Sequence, residues 1–195
     1  MKHSEQLGKN LLIAWIFLLG LVFLSYAPGL SGGFIFDDYP NIVNDKNIIL
    51  QNFGWEEWQR VAESGSAGPL KRPVAVVSLA VQIAATGMEP WFLKLGNIFI
   101  HLLAALALGL LVSRLLGVWG QKLDAPLSLS PQQTTYVAWA AWLAVAIWSL
   151  HPLNLTSVLY IVQRMTSLSA LFGFLATAAF IQLRTETAFT HTELR

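Results

Sequence analysis

The chain contains no cysteine, which excludes disulfides, thiolate metal sites and thiol catalysis. It is also poor in charge. Asp, Glu, Lys and Arg make up 12% of the 195 residues, and twelve basic against eleven acidic side chains leave a formal net charge of +1. No global basic field and no nucleic-acid motif is present, so no nucleic-acid partner is expected. The four histidines are scattered without ligand spacing. There is no GxGxxG, no Walker loop, no HExxH and no nucleophile elbow, and with them go the common nucleotide-binding, zinc-protease and serine-hydrolase readings. Soluble domains, low-complexity tracts and solenoid repeats are absent as well.

What the chain has in excess is apolar surface. Hydrophobic residues make up 55% of it and its mean hydropathy is +0.55, far from a soluble domain. The expected class is an all-α integral membrane protein built as a single membrane domain over 1–195. Crossing about 30 Å of hydrocarbon takes roughly 20 helical residues, and four segments approach that: 11–29, 91–115, 135–150 and 155–183. The third is short, but Ser130, Pro131 and Gln133 offer an N-cap, a first-turn proline and a capping-box partner that would start the helix earlier. Lys2 and Lys9 precede the first apolar run, which reads as an uncleaved signal anchor with a cytoplasmic N-terminus. The segment 30–90 then becomes an outer loop, 116–134 a cytoplasmic loop and 184–195 a cytoplasmic tail.

Two pieces of the outer loop carry their own pattern. NFGWEEWQRVAE places Trp55, Trp58 and Ala62 on one helical face and Glu56, Glu57, Arg60 and Glu63 around the other, so 54–63 is expected to be an interfacial amphipathic helix. The apolar stretch 73–86 is too short to span comfortably and is expected to be a re-entrant or juxtamembrane helix. If it did span, every later segment would change sides.

Few residues can carry chemistry in such a chain. Asp37 and Asp38, in GGFIFDDYPNI, form an acidic pair just past the first span. A carboxylate near a bilayer needs water, a cation or a basic partner, although two solvated loop residues in a turn would serve as well. If a divalent cation binds, this pair is the evident place. Arg164 sits inside the last apolar run and must snorkel, pair with an acid such as Asp37 or Asp38, or meet an anion. His151 ends the third segment, where it can cap carbonyls or contact a ligand. Lys94, Asn97 and His101 share one face of the second span at i, i+3 and i+7 and can hydrogen-bond between helices; Lys94 can also snorkel. Lys71 and Arg72 precede Pro73, where cations and a helix N-terminus can meet lipid phosphate or simply anchor at the interface.

With those residues in view, the chain resembles the N-terminal part of GT-C superfamily membrane glycosyltransferases. It is most like the transmembrane O-mannosyltransferases with C-terminal TPR repeats and their bacterial relatives. The resemblance rests on FDDYPNI, on Asn44-Asp45, on KRPV, on PWFLKLGNIFIHLLAAL and on HPLNLTSVLYIVQRMTSLSALF, in that order over nearly the whole chain. It implies transfer of a sugar from a polyprenyl-phosphate donor to an acceptor hydroxyl, usually with inversion. Asp37 would be the base on the acceptor, Asp38 its support, and Lys71, Arg72, His151 and Arg164 the groups near the lipid phosphate. Two features depart from the family: Thr156 stands where relatives hold an acidic residue, and about four spans stand where relatives have ten or more. The expectation is therefore the N-terminal region of such an enzyme, completed by a longer chain or by a partner protein that supplies the missing transmembrane half. A non-catalytic module that binds lipid-linked sugar or a glycosylation or surface-assembly partner is the alternative. The motif variants look bacterial, which implies an inner membrane with both termini cytoplasmic and the acidic loop periplasmic.

Overall fold

A computed structural model describes residues 2–65, 71–123 and 130–192. The linker residues 66–70, Asp124 and the end of the tail lie outside them, as do the side chains of Lys122 and of the tail beyond Thr185. The described residues are helical, with no strand: α1 (Lys2–Tyr26), α2 (Trp55–Ala62), α3 (Pro73–Thr86), α4 (Pro90–Leu123), α5 (Pro131–Ser149), α6 (Asn154–Leu159) and α7 (Arg164–Thr192), joined by short 3-10 and π turns.

Three stretches are long and apolar enough to cross a membrane: Glu5–Ser31, Pro90–Val118 and Ile161–Thr185. Of the four expected spans these are three; α5 forms where the fourth was expected but is not among them. Its first turn is Pro-Gln-Gln-Thr-Thr, which leaves an apolar stretch shorter than the hydrocarbon needs. The single run expected over 155–183 is also broken. The helix stops at Leu159, Tyr160 is extended (φ −91°, ψ 113°), and a 3-10 turn over Ile161–Gln163 leads into α7.

The chain divides into two compact units. The first takes Met1–Phe23, Leu102–His151 and Ala170–Arg195. Its α5 begins with the expected capping box, in which the Gln133 N–H donates to Ser130 Oγ (3.2 Å) and the Ser130 N–H donates to Gln133 Oε1 (2.8 Å). Packing here is aromatic against small. The Trp142 indole N–H donates to the Ala14 carbonyl (3.0 Å), the Trp15 ring lies over Gly109, and Trp148 meets Phe174 edge-on at 5.4 Å. Small residues let helix backbones approach where no hydrophobic force drives association in lipid.

The second unit takes Leu24–His101 and Pro152–Ser169. Its apolar core joins Ile42, Ile48, Val61, Leu79, Ala80, Ile83, Leu93, Ile161 and Val162. Helix α3 contributes Ala75, Leu79, Ala80 and Ile83 from one face and stops at Gly87, whose φ of +79° suits only glycine comfortably. Helix α2 forms where the amphipathic pattern places it; Val61 is its buried residue, while Trp55 stays 74% exposed. One of its acids turns inward. Glu57 accepts from the Gln51 and Asn52 N–H groups (3.0 and 2.7 Å) and pairs with Arg60 at 3.2 Å, and Arg60 in turn donates to the Asn47 and Ile49 carbonyls.

Candidate functional site

The site is built where helices of the second unit end. Each break in an apolar helix frees backbone groups that must be satisfied inside the protein, and here buried polar side chains satisfy them. Pro28 turns the end of the first span into a 3-10 segment, Ala27–Ser31. Lys94, 5% exposed, donates from Nζ to the Gly29 and Gly32 carbonyls (3.1 and 2.8 Å) that follow. It therefore does not snorkel. At the second break, Asn97 donates from Nδ2 to the Tyr160 and Ile161 carbonyls (3.4 and 3.3 Å). Across the same break the Val162 N–H donates to Asp38 Oδ1 at 2.8 Å.

The acidic pair is thus split into unlike halves. Asp38 is fully buried, and its second oxygen accepts from the Ile35 N–H at 3.1 Å. Burial pushes its carboxyl above the ordinary range, against those N–H groups and the nearby charge of Lys94, which favour the ionised form. Asp37 is exposed, but its backbone is pinned: its N–H donates to the Tyr160 hydroxyl (2.7 Å), and its carbonyl accepts from the Asn41 N–H (3.3 Å) and side-chain amide (2.8 Å). Phe36, immediately before, sits at φ +40° and is 83% exposed. That left-handed turn costs roughly 1–2 kcal/mol and leads directly into the two aspartates. A π turn over Tyr39–Val43 follows.

Arg164 differs most from its expected roles. It is 2% exposed, and no acid stands within ion-pair distance among the described residues. Neutral oxygens take up its guanidinium: Asn97 Oδ1 (2.7 Å), Gln82 Oε1, and the Ser78 and Leu93 carbonyls (3.1 and 2.9 Å). It ties α3, α4 and α7 together. Gly96 leaves the room, since a Cβ there would meet Gln82 and lie 2.9 Å from Arg164 Nη2.

Lys71 and Arg72 are exposed, both in the left-handed region (φ +52° and +47°), immediately before the first turn of α3. They line a cleft with Asn41 and Gly65 over Ile42, Ala75, Val76, Leu79, Val162 and Met165. Asn41 is the residue that holds the Asp37 carbonyl, so this cleft adjoins the acidic turn. His151 belongs to the first unit, where it is exposed and its N–H closes the end of α5 on the Trp148 carbonyl (3.2 Å). Thr156 is exposed on α6.

A divalent cation is poorly served here. Asp38 commits both oxygens to backbone N–H groups, and the described residues contain no cluster of three His, Asp or Glu side chains that could hold a metal ion. Sequence reasoning missed Tyr160 and Gln82. Gln82 was signalled by its place as a lone amide in the apolar run of α3. Tyr160 carried no signal, since a tyrosine in an apolar run reads as an interfacial ring.

Among curated proteins, the chain is similar to Protein O-mannosyl-transferase TMTC1 of Mus musculus, 29% identical over 97 residues, which is 47% of this chain and 10% of that protein. The chain thus matches only a tenth of its relative's length, and the likeness supports a distant glycosyltransferase-like relationship. No protein-family model and no solved structure matches it.

Proposed function

We propose that this chain is the N-terminal membrane region of a GT-C-like glycosyltransferase that moves a sugar from a polyprenyl-phosphate donor to an acceptor hydroxyl, in a protein. The observation that carries this reading is the division of labour in the acidic pair: Asp38 is locked into the fold while Asp37 is presented, on a pinned backbone, to whatever approaches. Asp37 takes the proton as the acceptor oxygen bonds to the anomeric carbon, and the carbon–oxygen bond to the phosphate breaks with its electron pair leaving on the polyprenyl phosphate. Lys71, Arg72 and the N-terminus of α3 offset the phosphate charge. Arg164 supports the scaffold rather than the leaving group, because neutral oxygens already take its donors.

The relative's printed activity makes mannose the first sugar to test. With α5 crossing as a fourth span, both ends lie in the cytoplasm of a bacterial inner membrane and the acidic turn in the periplasm. The rest of the donor groove comes from a longer chain or a partner protein. The test is transfer of tritiated mannose from polyprenyl phosphate in membranes carrying the native protein. Asp37→Asn is expected to lower turnover at least about 100-fold, the scale of a lost general base, with donor binding retained. Unchanged turnover removes Asp37 as the base. Donor binding with no turnover in the unaltered protein favours the non-catalytic lipid-sugar module.

A further inference from the structure

Asp37 and Asp38 dock on one and the same feature, the break between α6 and α7. Asp38 takes the Val162 N–H and Asp37 meets Tyr160, two residues earlier. Tyr160 is held firmly there, because its N–H donates to the Thr156 carbonyl (3.2 Å) and its own carbonyl accepts from Asn97 and from the Gln163 N–H (3.0 Å). The Asp37 N–H donates to the Tyr160 hydroxyl at 2.7 Å, so it occupies a lone pair of that oxygen and leaves the phenol's single proton to find an acceptor elsewhere. Burial pushes the phenol above its ordinary range, so the proton stays on it at neutral pH.

We infer that the Tyr160 hydroxyl is the positioning group for the Asp37 carboxylate. It fixes the turn that presents the carboxylate by accepting from the Asp37 main chain, and its own proton is available to one carboxylate oxygen when the acceptor's hydroxyl takes the other. A main chain pinned at the aspartate itself narrows the positions its carboxylate can take, and a group held in this way is what proximity catalysis requires. The break in the apolar helix is then not a defect but the mount for the acidic pair.

This inference rests on Asp37 being the base, and the experiment separates the two. Steady-state transfer of polyprenyl-phosphate-linked tritiated mannose is followed in membranes carrying the native protein, its Tyr160→Phe and Asp37→Asn variants and the double variant, per amount of folded enzyme. Tyr160→Phe keeps the ring and removes only the hydroxyl. It is expected to lower kcat about 10- to 100-fold, the scale of a misplaced reacting group, with donor KM and thermal stability unchanged. In the Asp37→Asn background, where product is accumulated over hours, the same change is expected to do nothing further.

An unchanged kcat in Tyr160→Phe beside a crippled Asp37→Asn overturns the Tyr160 role alone. Equal losses in both backgrounds overturn it too, because Tyr160 then acts independently of the carboxylate. A silent Asp37→Asn overturns the base assignment first. Should Tyr160→Phe fail to fold, 3-fluorotyrosine at position 160 retains ring and hydroxyl while making the phenol a stronger donor, and an unchanged kcat there overturns the inference.

Discussion

The two units solve the same problem, burial of helices in an apolar chain, by different means. In the first, Trp142, Trp15 and Trp148 pack on Ala14, Gly109 and Phe174, and Ser149 is its single fully buried polar residue among those described. In the second, Asp38, Ser64, Lys94, Asn97, His101, Arg164 and Ser167 are all buried. Polar groups inside a membrane protein are expensive, and in the second unit Asp38, Lys94 and Asn97 meet backbone groups where helices break. The difference teaches that the breaks are built features. Each exposes backbone groups that a named side chain satisfies, and the acidic turn is what they support.

That contrast can be broken most severely at Arg164. Arg164→Ala opens a cavity at the largest fully buried side chain and orphans the Asn97 and Gln82 oxygens. A loss of about 4 kcal/mol is expected, read as thermal unfolding in detergent. A matched pair of glycines sharpens the comparison. In Gly96→Ala the new Cβ meets the Gln82 and Arg164 head groups, which cannot give without losing their hydrogen bonds, and about 2–3 kcal/mol is expected. In Gly109→Ala it meets the outer edge of the Trp15 ring, which can swing, and about 1 kcal/mol is expected. Equal losses would show that the polar network is no more rigid than the aromatic packing.

Asp38→Asn comes next. The amide NH2 must face a backbone N–H, either Ile35 or Val162, at a cost of about 2 kcal/mol. The sign with pH follows from its carboxyl being raised by burial. Folding favours the protonated form, so stability is greatest below the ordinary aspartate value of about 3.9 and falls as pH rises through the higher folded value. Unfolding temperature against pH should slope downward across that window in the native protein and lose that component in Asp38→Asn. The smallest effect belongs to the neighbouring residue. Asp37→Asn, on an exposed side chain, is expected to change stability by less than about 0.5 kcal/mol, whatever it does to turnover.

Much of this was legible beforehand. The apolar runs, the Ser130–Gln133 capping box and the α3 segment starting at Pro73 follow from composition, period and cap chemistry, all of them local signals. The acidic pair stood out because a charge beside an apolar run is rare. Not legible were the break at Tyr160, which carries no proline or glycine, and the burial of Val61 of α2, which depends on core residues contributed from distant parts of the chain. The roles of Arg164 and Lys94 were hidden for the same reason, since their partners are 62 to 86 residues away and mostly backbone carbonyls, which no sequence pattern marks.

The sequence by itself determined that this is an apolar helical chain with a few charges that must be compensated, because those properties depend on residue type and spacing alone. Only the tertiary structure decided which charge compensates which group. It made Asp38 a lock, left Asp37 presented beside Tyr160, and gave Arg164 to neutral oxygens. Those outcomes depend on where distant backbone breaks fall in space, and that is a property of the packed chain rather than of any stretch of it.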